Sequence, residues 1–346
     1  MKKLIKMPSI EQFRNVIKNV KHMVTFTGFD ANGDPIHDRS IKAPILKAIG
    51  TIKLHGTNAA VCYNDVSGMW FQSKENIITP QNDNAGFAFF GTQNNDTFLS
   101  IIKSLNIDTN KNTVTVYGEW AGKGIQKGVG ISEIEKSFFI IGIKVTPFNE
   151  EESAFWLEDY KLVLSDNRIF DIRGFKTFEI EIDFENALFS QNKMVDWVME
   201  VENECPVAKE FGISGIGEGI VFSIKFKDSI LRWKMKGDKH AGKSKVKVAK
   251  KVDDVRLQLI IDIVNQVTPE WRLAQMYDQT FDTLNGGKGS IEKMGDYIRS
   301  VINDIIKEDS DIISDAGLIP KDVNANISKI AREWLVKKLD EEAGLV

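Results

Sequence analysis

Residues 50–64 read G-T-I-K-L-H-G-T-N-A-A-V-C-Y-N. From about residue 49 to 73 the pattern is one of short strands: this stretch, a turn at Asn64–Gly68, then M-W-F-Q-S-K. Working outward, T-V-T-V-Y-G-E-W (113–120) alternates as a strand should, and S-F-F-I-I-G-I-K-V (137–145) is a near-continuous apolar run that predicts a strand buried on both faces. E-G-I-V-F-S-I-K-F (218–226) and S-I-L-R-W-K-M-K-G (229–237) predict two strands joined by a tight turn at Lys227–Asp228. Helices are fewer. Ser9 and Gln12 have the spacing of a capping box, and Ile10, Phe13, Ile17 and Val20 the spacing of a helix face. Thr97–Leu105 and Lys193–Glu204 also predict helices, whereas residues 28–44 and 77–95 read as loops.

The texture switches after Lys247. V-R-L-Q-L-I-I-D-I-V-N-Q-V, T-P-E-W-R-L-A-Q-M-Y-D-Q-T-F, S-I-E-K-M-G-D-Y-I-R-S-V-I-N-D-I-I-K-E and I-S-K-I-A-R-E-W-L-V-K-K-L-D-E-E all carry helical spacing, with N-G-G-K-G (285–289) as an interhelix loop. Pro269 is expected at the first helical position of its segment. The expected class is α+β with antiparallel sheets over residues 1–247, followed by a small all-helical C-terminal domain over 248–346.

The composition of these 346 residues, 42% hydrophobic and 27% charged, excludes a disordered or collagenous chain. Two cysteines, Cys62 and Cys205, exclude a disulfide framework and a cysteine-based zinc cluster. The histidines His22, His37, His55 and His240 form no HxxxH or HxH pair, which argues against a histidine-built metal site. The start, M-K-K-L-I-K-M-P-S-I, lacks the apolar run of a signal peptide, and no stretch approaches the ~20 apolar residues of a membrane span. A soluble protein of a reducing compartment is expected, acting in the cytoplasm (the host's, if the gene is phage-borne). Net charge is −4, yet Arg232–Lys251 holds nine Lys/Arg and one acid, Asp238. Such a run reads either as a solvated linker or as a polyanion-binding stretch.

No GxxxxGK[ST], GxGxxG or GxSxG motif occurs. Four other places could carry chemistry. Lys53 stands at a strand end before a glycine turn, and Glu119, in V-Y-G-E-W-A-G-K-G, ends a strand at a Gly-rich turn. Glu218, in G-I-G-E-G-I-V-F, is flanked by glycines, and Lys234 and Lys236 share one strand face opposite Trp233 and Met235. Two like charges on one face repel unless an anion lies between them. Taken singly, each of the four also reads as an ordinary surface strand.

In order, K-x-H-G, a strand ending in G-E, an aromatic-apolar strand, E-G-I-V and K-x-K-G resemble the motif series of covalent nucleotidyltransferases: DNA ligases, RNA ligases and mRNA capping enzymes. K-L-H-G-T-N (53–58) and G-E-W-A-G-K-G-I-Q-K (118–127) are most similar to the RNA ligase 2 family of nick-sealing, ATP-dependent RNA ligases, as are Ser9-Ile10-Glu11 and the helical tail. The resemblance implies that Lys53 takes AMP from ATP as a phosphoramide, that Lys74 contacts the nucleotide sugar or phosphate, and that Glu119 serves the ribose. It implies Glu218 as the carboxylate of metal-dependent chemistry with Mg2+, Lys234 and Lys236 on the α-phosphate, and His55 and Gln126 near the sealing step, with Ile52 and Gly56 beside the nucleotide. Two departures stand out. Ile52 precedes the nucleophile where relatives often have Glu, and S-F-F-I-I-G-I carries Ile141 and Gly142 where relatives have Phe-Asp. The adenine partner is then Phe138 or Phe139, or an apolar contact from Ile141 and Val221.

The implied reaction is three transfers: Lys53 attacks the α-phosphorus and expels pyrophosphate, AMP moves to an RNA 5′-phosphate, and a 3′-OH displaces it. A free lysine, with a pKa of ~10.4, must lose its proton to attack, and neighbouring cations favour that loss. They also stabilise charge on the phosphorus centre. The implied partner is nicked duplex RNA, bound by a monomer. A DNA ligase or capping guanylyltransferase would share the core but usually carries an OB-fold where this tail reads helical. An RNA-binding module would rely on the basic run alone.

Overall fold

The computed structural model describes residues 2–30, 32–38, 40–162, 164, 168–237, 239 and 253–343. Helix α1 (Phe13–Thr25) leads into a hairpin of β1 (Phe26–Phe29) and β2 (Pro35–His37). Strands β3 (Ile45–Lys53), β4 (Thr57–Asn64), β5 (Gly68–Ser73) and β6 (Ile77–Ile78) follow, then helices α2 (Phe87–Gln93) and α3 (Asn95–Ser104). Next come β7 (Asn112–Ala121), β8 (Ser137–Pro147), β9 (Phe155–Leu157), β10 (Ile169–Asp171) and β11 (Thr177–Asp183). Helices α4 (Gln191–Asn203) and α5 (Pro206–Glu210) precede β12 (Gly219–Phe226) and β13 (Ser229–Lys236). The tail holds α6 (Asp254–Val267), α7 (Glu270–Phe281), α8 (Met294–Glu308), α9 (Ser310–Asp315) and α10 (Pro320–Glu342). The expected mixture of antiparallel sheets and C-terminal helices is therefore what the chain adopts. No helix among the described residues is long and apolar enough to cross a membrane.

The chain divides into two compact units, Met1–Lys21 with Ala43–Lys251, and His22–Lys42 with Val252–Val346. The first contains two sheets. One runs β10-β8-β7-β4-β5-β6, with β9 also on β8, and is antiparallel except for the β10–β8 pair. Its β8 is buried along most of its length, as the unbroken apolar run predicts, because α2 and α3 cover one face with Phe87, Phe98 and Ile102. The other sheet, β11-β3-β12-β13, is antiparallel throughout. Alternation divides its faces. Ala48, Ile52, Phe222, Trp233 and Met235 are buried. On that side Trp197 of α4 lies against Phe178 and Phe222, and Phe13 stacks on Trp233 with centroids 5.2 Å apart. The alternate positions Lys53, Val221, Arg232, Lys234 and Lys236 share the opposite face.

Four local expectations differ from the structure. The first helix starts at Phe13, not at Ser9, because Glu11 is bound to β13 instead: its N–H donates to Arg232 O (2.9 Å) and its carbonyl accepts from the Lys234 N–H (3.2 Å). The Asn/Gly-rich stretch 77–95 contains α2, whose Phe87 and Phe90 fill the core. Residues 28–44 are not all loop but contribute to the β1–β2 hairpin. Pro269 sits one position before its helix rather than inside it.

In the helical unit, Tyr297, Val301 and Ile305 on α8 meet Val323, Ile327, Ala331 and Leu335 on α10, two four-residue spacings that each align one face. Buried Arg272 donates to Val267 O (2.7 Å) and pairs with Asp304 (3.1 Å) and Asp309, tying α7 to the ends of its neighbours. Asp304 and Asp309 matter here because a buried guanidinium without acceptors is strongly destabilising.

Phe138 stands at the centre of the first sheet's core, against Phe87 (4.9 Å) and Phe98 (5.7 Å). Phe138→Ala should lower unfolding free energy by about 3–5 kcal/mol, as truncation of a buried phenylalanine does. Urea denaturation measures it, and a loss under about 1 kcal/mol would remove Phe138 from the core.

Candidate active site

Register assembles the site. Lys53 on β3, Gly219 on β12 and Lys236 on β13 stand in one row across three strands, and Thr51, Val221 and Lys234 form the next row. Gly219 has φ +146°, and a Cβ there would lie 2.1 Å from Met235 O, so only glycine fits. With no side chain at Gly219, the space between the two lysines is taken by Glu218. Its carboxylate is 2% exposed, with Oε2 accepting from Lys53 Nζ at 2.6 Å and Oε1 from Lys236 Nζ at 2.5 Å. His55 Nδ1 lies 3.4 Å from the same Oε2. Burial pushes the Glu218 pKa up, but the charges and hydrogen bonds of Lys53 and Lys236 outweigh it and hold the carboxyl below its ordinary range.

Lys234 is the cation of the next row, and among the described residues its ammonium has no ion-pair partner. Partial burial and the cations of Lys236 and Lys53 lower its pKa, against the pull of Glu218. Lys74 is exposed, yet near enough that its charge adds to the same lowering. Two lysines around one carboxylate, with two more beside them, leave the locale positive and suited to an anion.

Across the cleft, Glu119 of β7 reaches the β3–β4 turn, where its Oε1 accepts from the Gly56 N–H at 3.0 Å. A Cβ at Gly56 would meet Trp120 O at 2.4 Å, so glycine permits this approach. Gln126 Nε2 donates to Gly56 O at 3.4 Å from the other side. Burial raises the Glu119 pKa to about 7, against the opposing effects of Lys53 and of the Gly56 hydrogen bond. Between the sheets lies a cavity of about 370 Å3, lined by Lys53, Glu119, Ile141, Gly142, Val221 and Ile52, among others.

The structure thus gathers Lys53, His55, Gly56, Glu119, Glu218, Lys234 and Lys236 into one place, and puts Ile52, Ile141 and Val221 on the adjoining cavity. Phe138 is a correction. Its ring faces the other side of the sheet, under Gly118, where a Cβ would meet it at 2.5 Å. It packs among core residues and cannot contact a ligand in the cleft. Phe139 is no substitute, being buried against Phe170 and Phe175. Of the basic run, Lys243, Lys245, Lys247, Lys250 and Lys251 lie outside the described residues, as does His240. Ile10, of the Ser9-Ile10-Glu11 stretch, also lines the cavity, as do Met7, Tyr160 and Arg173, which sequence reading passed over. No local signal in the sequence marks Met7, Tyr160 or Arg173. Arg232 lines it too, and strand alternation with Lys234 and Lys236 could have found it.

Among the described residues no group of three or more His, Cys, Asp or Glu is placed to hold a metal ion. A cation here would depend on Glu218 together with oxygens of a ligand, a pattern that suits Mg2+, which is commonly held by one or two carboxylates and phosphates.

Because the folded-state pKa of Glu119 lies above its ordinary 4.5, its contribution to stability is full below about 4.5 and is lost as pH rises through about 7. The ligand-free protein should therefore melt lower at pH 8 than at pH 5, by the equivalent of about 1–3 kcal/mol. Glu119→Gln should flatten that slope in thermal melts. An unchanged slope would assign the titration to another group.

Residues 47–238, more than half of the chain, match the family model described as RNA ligase. A comparison with curated proteins gave no match. Among solved structures, the chain is similar to Naegleria gruberi RNA ligase with PPi, at 13% identity and a TM-score of 0.41, with 70% of this chain and 58% of that chain covered. A mutant of the same ligase with ATP and Mn matches at 12% identity and 0.41 over the same shares, and another with AMP and Mn at 12% and 0.42. The chain spans 58% of the length of these ligases. The matched segment begins two strand positions before Ile49 and closes just past Lys236, so it holds every member of the Lys53–Glu218–Lys236 constellation, and on that match the chain belongs to the RNA ligase family.

Proposed function

We propose that this chain is an ATP-dependent RNA ligase that carries AMP on Lys53, passes it to an RNA 5′-phosphate and joins that end to a 3′-OH. The observation that carries the reading is the buried Glu218 carboxylate held between Lys53 and Lys236, with the ammonium of Lys234 beside it. A lysine is a useful nucleophile only where its position is fixed and its proton can leave. Here Lys53 is 18% exposed, aimed along its hydrogen bond to Glu218, and open to the cavity.

In the first step Lys53 Nζ forms a bond to the α-phosphorus of ATP, the bond to pyrophosphate breaks, and the lysine proton is released. Lys234 and Lys236 neutralise charge on the transferring phosphoryl group. Glu119, beside the Gly56 amide, is within reach of the ribose as a hydrogen-bond partner. In the second step an oxygen of the RNA 5′-phosphate displaces Lys53 from phosphorus, and in the third the 3′-OH attacks that 5′-phosphate and AMP departs. Mg2+, held by Glu218 and the phosphates, would supply charge stabilisation on the leaving pyrophosphate. The substrate is an RNA nick, and the enzyme acts as a soluble, cytoplasmic monomer. The division of labour follows the boundary near residue 247, with adenylyl transfer before it and RNA positioning in the helices after it.

Incubation with α-labelled ATP should give an acid-labile adduct that Lys53→Ala abolishes while the melting temperature stays near that of the parent. Lys234→Ala or Lys236→Ala should slow labelling about ten- to hundred-fold, the effect of losing one charge-assisted contact worth ~1.5–3 kcal/mol. A wild-type adduct yield from Lys53→Ala would sink the assignment. Labelling from GTP alone would point to capping chemistry, and sealing of nicked DNA in preference to nicked RNA to a DNA ligase.

A chain ended near Lys247 should still take AMP but lose sealing of a nicked RNA duplex. Duplex RNA offers phosphates and 2′-OH groups over a broad, shallow groove that the cleft alone does not span. Duplex binding by the full chain should weaken steeply with salt. A fragment that seals as well as the full chain would give the helices another role.

A further inference from the structure

One cation in the cavity is not explained by phosphate chemistry. Arg232 lies on the same face of β13 as Lys234 and Lys236, but four residues from Lys236, ~13 Å along the strand. That is about the reach of a nucleoside monophosphate from its phosphate to the far edge of its base. Its guanidinium carbon sits over the ring of Trp156, 4.0 Å from the centroid, and the side chain lines the cavity. The room for this stack comes from Gly142, where a Cβ would sit 3.0 Å from Trp156 Cζ3 and 3.7 Å from Arg232 Nη2. Tyr117 packs on Trp156 at 5.4 Å and holds that ring in place.

What the guanidinium lacks is an acceptor. Of the acidic residues on the cavity wall near it, Glu158 pairs with Lys225 (3.0 Å), and Asp159 favours the charge of Arg173. Among the described residues no carboxylate or carbonyl accepts a hydrogen bond from the Arg232 side chain, which packs on the Trp156 ring. Partial burial lowers its pKa to about 10. Arg232 is half-buried, and its five N–H donors, in a rigid fork, are open to acceptors that a ligand in the cavity would supply.

We infer that Arg232, seated over Trp156 in the space left by Gly142, is the residue that reads the nucleotide's base, donating hydrogen bonds to an acceptor nitrogen of the purine. This rests on the reading that the cavity takes ATP, and it adds a specificity determinant far from the phosphate. The guanidinium plane fixes the plane of its N–H groups, so a base edge must present its acceptor in that plane, and a pyrimidine is too short to reach it from a phosphate held at Lys234 and Lys236.

The test is the rate of adduct formation on the full-length chain, measured over a range of concentrations with ATP and its 1-deaza, 3-deaza and 7-deaza analogues, for wild type, Arg232→Met and Arg232→Lys. Arg232→Met should raise KM for ATP about ten- to hundred-fold, with the rate at saturation changed less than three-fold and the melting temperature unchanged or higher. Arg232→Lys should recover only part of the loss. One deaza analogue should cost the wild type about ten-fold or more in kcat/KM and cost Arg232→Met almost nothing, because the lost contact is the same one. If Arg232→Met fails to fold, the analogue series on wild type and Arg232→Lys decides. Equal use of all three deaza analogues by the wild type, or an equal penalty in wild type and variant, would overturn the inference while leaving the ligase reading intact. Absence of any adduct from any nucleotide would overturn both. Preferential labelling from GTP, with the deaza penalty at position 7 and its loss in the Arg232 variants, would keep Arg232 as the base reader through O6 and N7 and overturn only the choice of ATP.

Discussion

The site depends on one buried carboxylate. Glu218 is sealed from solvent and would be expensive there alone, since an ion removed from water must be compensated by opposite charge and hydrogen bonds. Lys53 and Lys236 provide both, one to each oxygen. Because these lysines come from β3 and β13, on either side of the strand that Glu218 opens, the charge cluster holds only when all three strands are in register. A slip of one residue would turn both lysines to the other face, among Ile52, Trp233 and Met235. Pairs of this kind add little net stability compared with apolar packing, so their use here is positional.

A second constraint is the N-terminal segment. Ile5 exchanges hydrogen bonds with the Gln72 side chain, its N–H donating to Oε1 and its carbonyl accepting from Nε2, and that carbonyl also accepts from the Tyr117 hydroxyl. Six residues later, Glu11 is bound to the backbone of β13. The segment therefore ties the first sheet to the second, with Met7 and Ile10 on the cavity between them. A cleft between two sheets needs some such fastening if its lysines and Glu119 are to face one another at a constant spacing. The preorganised placement of donors is what makes charge stabilisation effective in transfer chemistry.

Much of the fold and of the site was legible. β7, β8, β12 and β13 are long, and their alternation or continuous apolarity is a signal that neighbours reinforce. The tail helices were legible for the same reason. However, α10 starts at Pro320, seven residues before Ile327, and in those first turns Val323 is the only large apolar residue. What misled were short-range signals overridden by packing. Ser9 has the pattern of a cap, yet the backbone at Glu11 is claimed by β13. The Asn/Gly-rich stretch hides α2, whose Phe87, Phe90 and neighbours form a helix because the sheet beneath needs covering. Phe138 was a reasonable aromatic for a base, but a shift of register between Tyr117 and Gly118 in the β7–β8 pairing precludes reading faces from parity alone.

The sequence by itself determined that a lysine before His-Gly, two glycine-flanked or glycine-bounded glutamates and a K-x-K strand stand at the ends of strands. Local propensity and alternation require no knowledge of partners. Which of these side chains meet was decided only by the tertiary structure. Lys53 and Glu218 are separated by 165 residues and become a 2.6 Å pair only through the pairing of β3 with β12. The same holds for Arg232 on Trp156: both residue types were visible, but their stacking depends on an absent side chain at Gly142 on a third strand. Contacts between distant segments are set by sheet order and by the volume that neighbouring strands leave free, and neither quantity is written in any local stretch of chain.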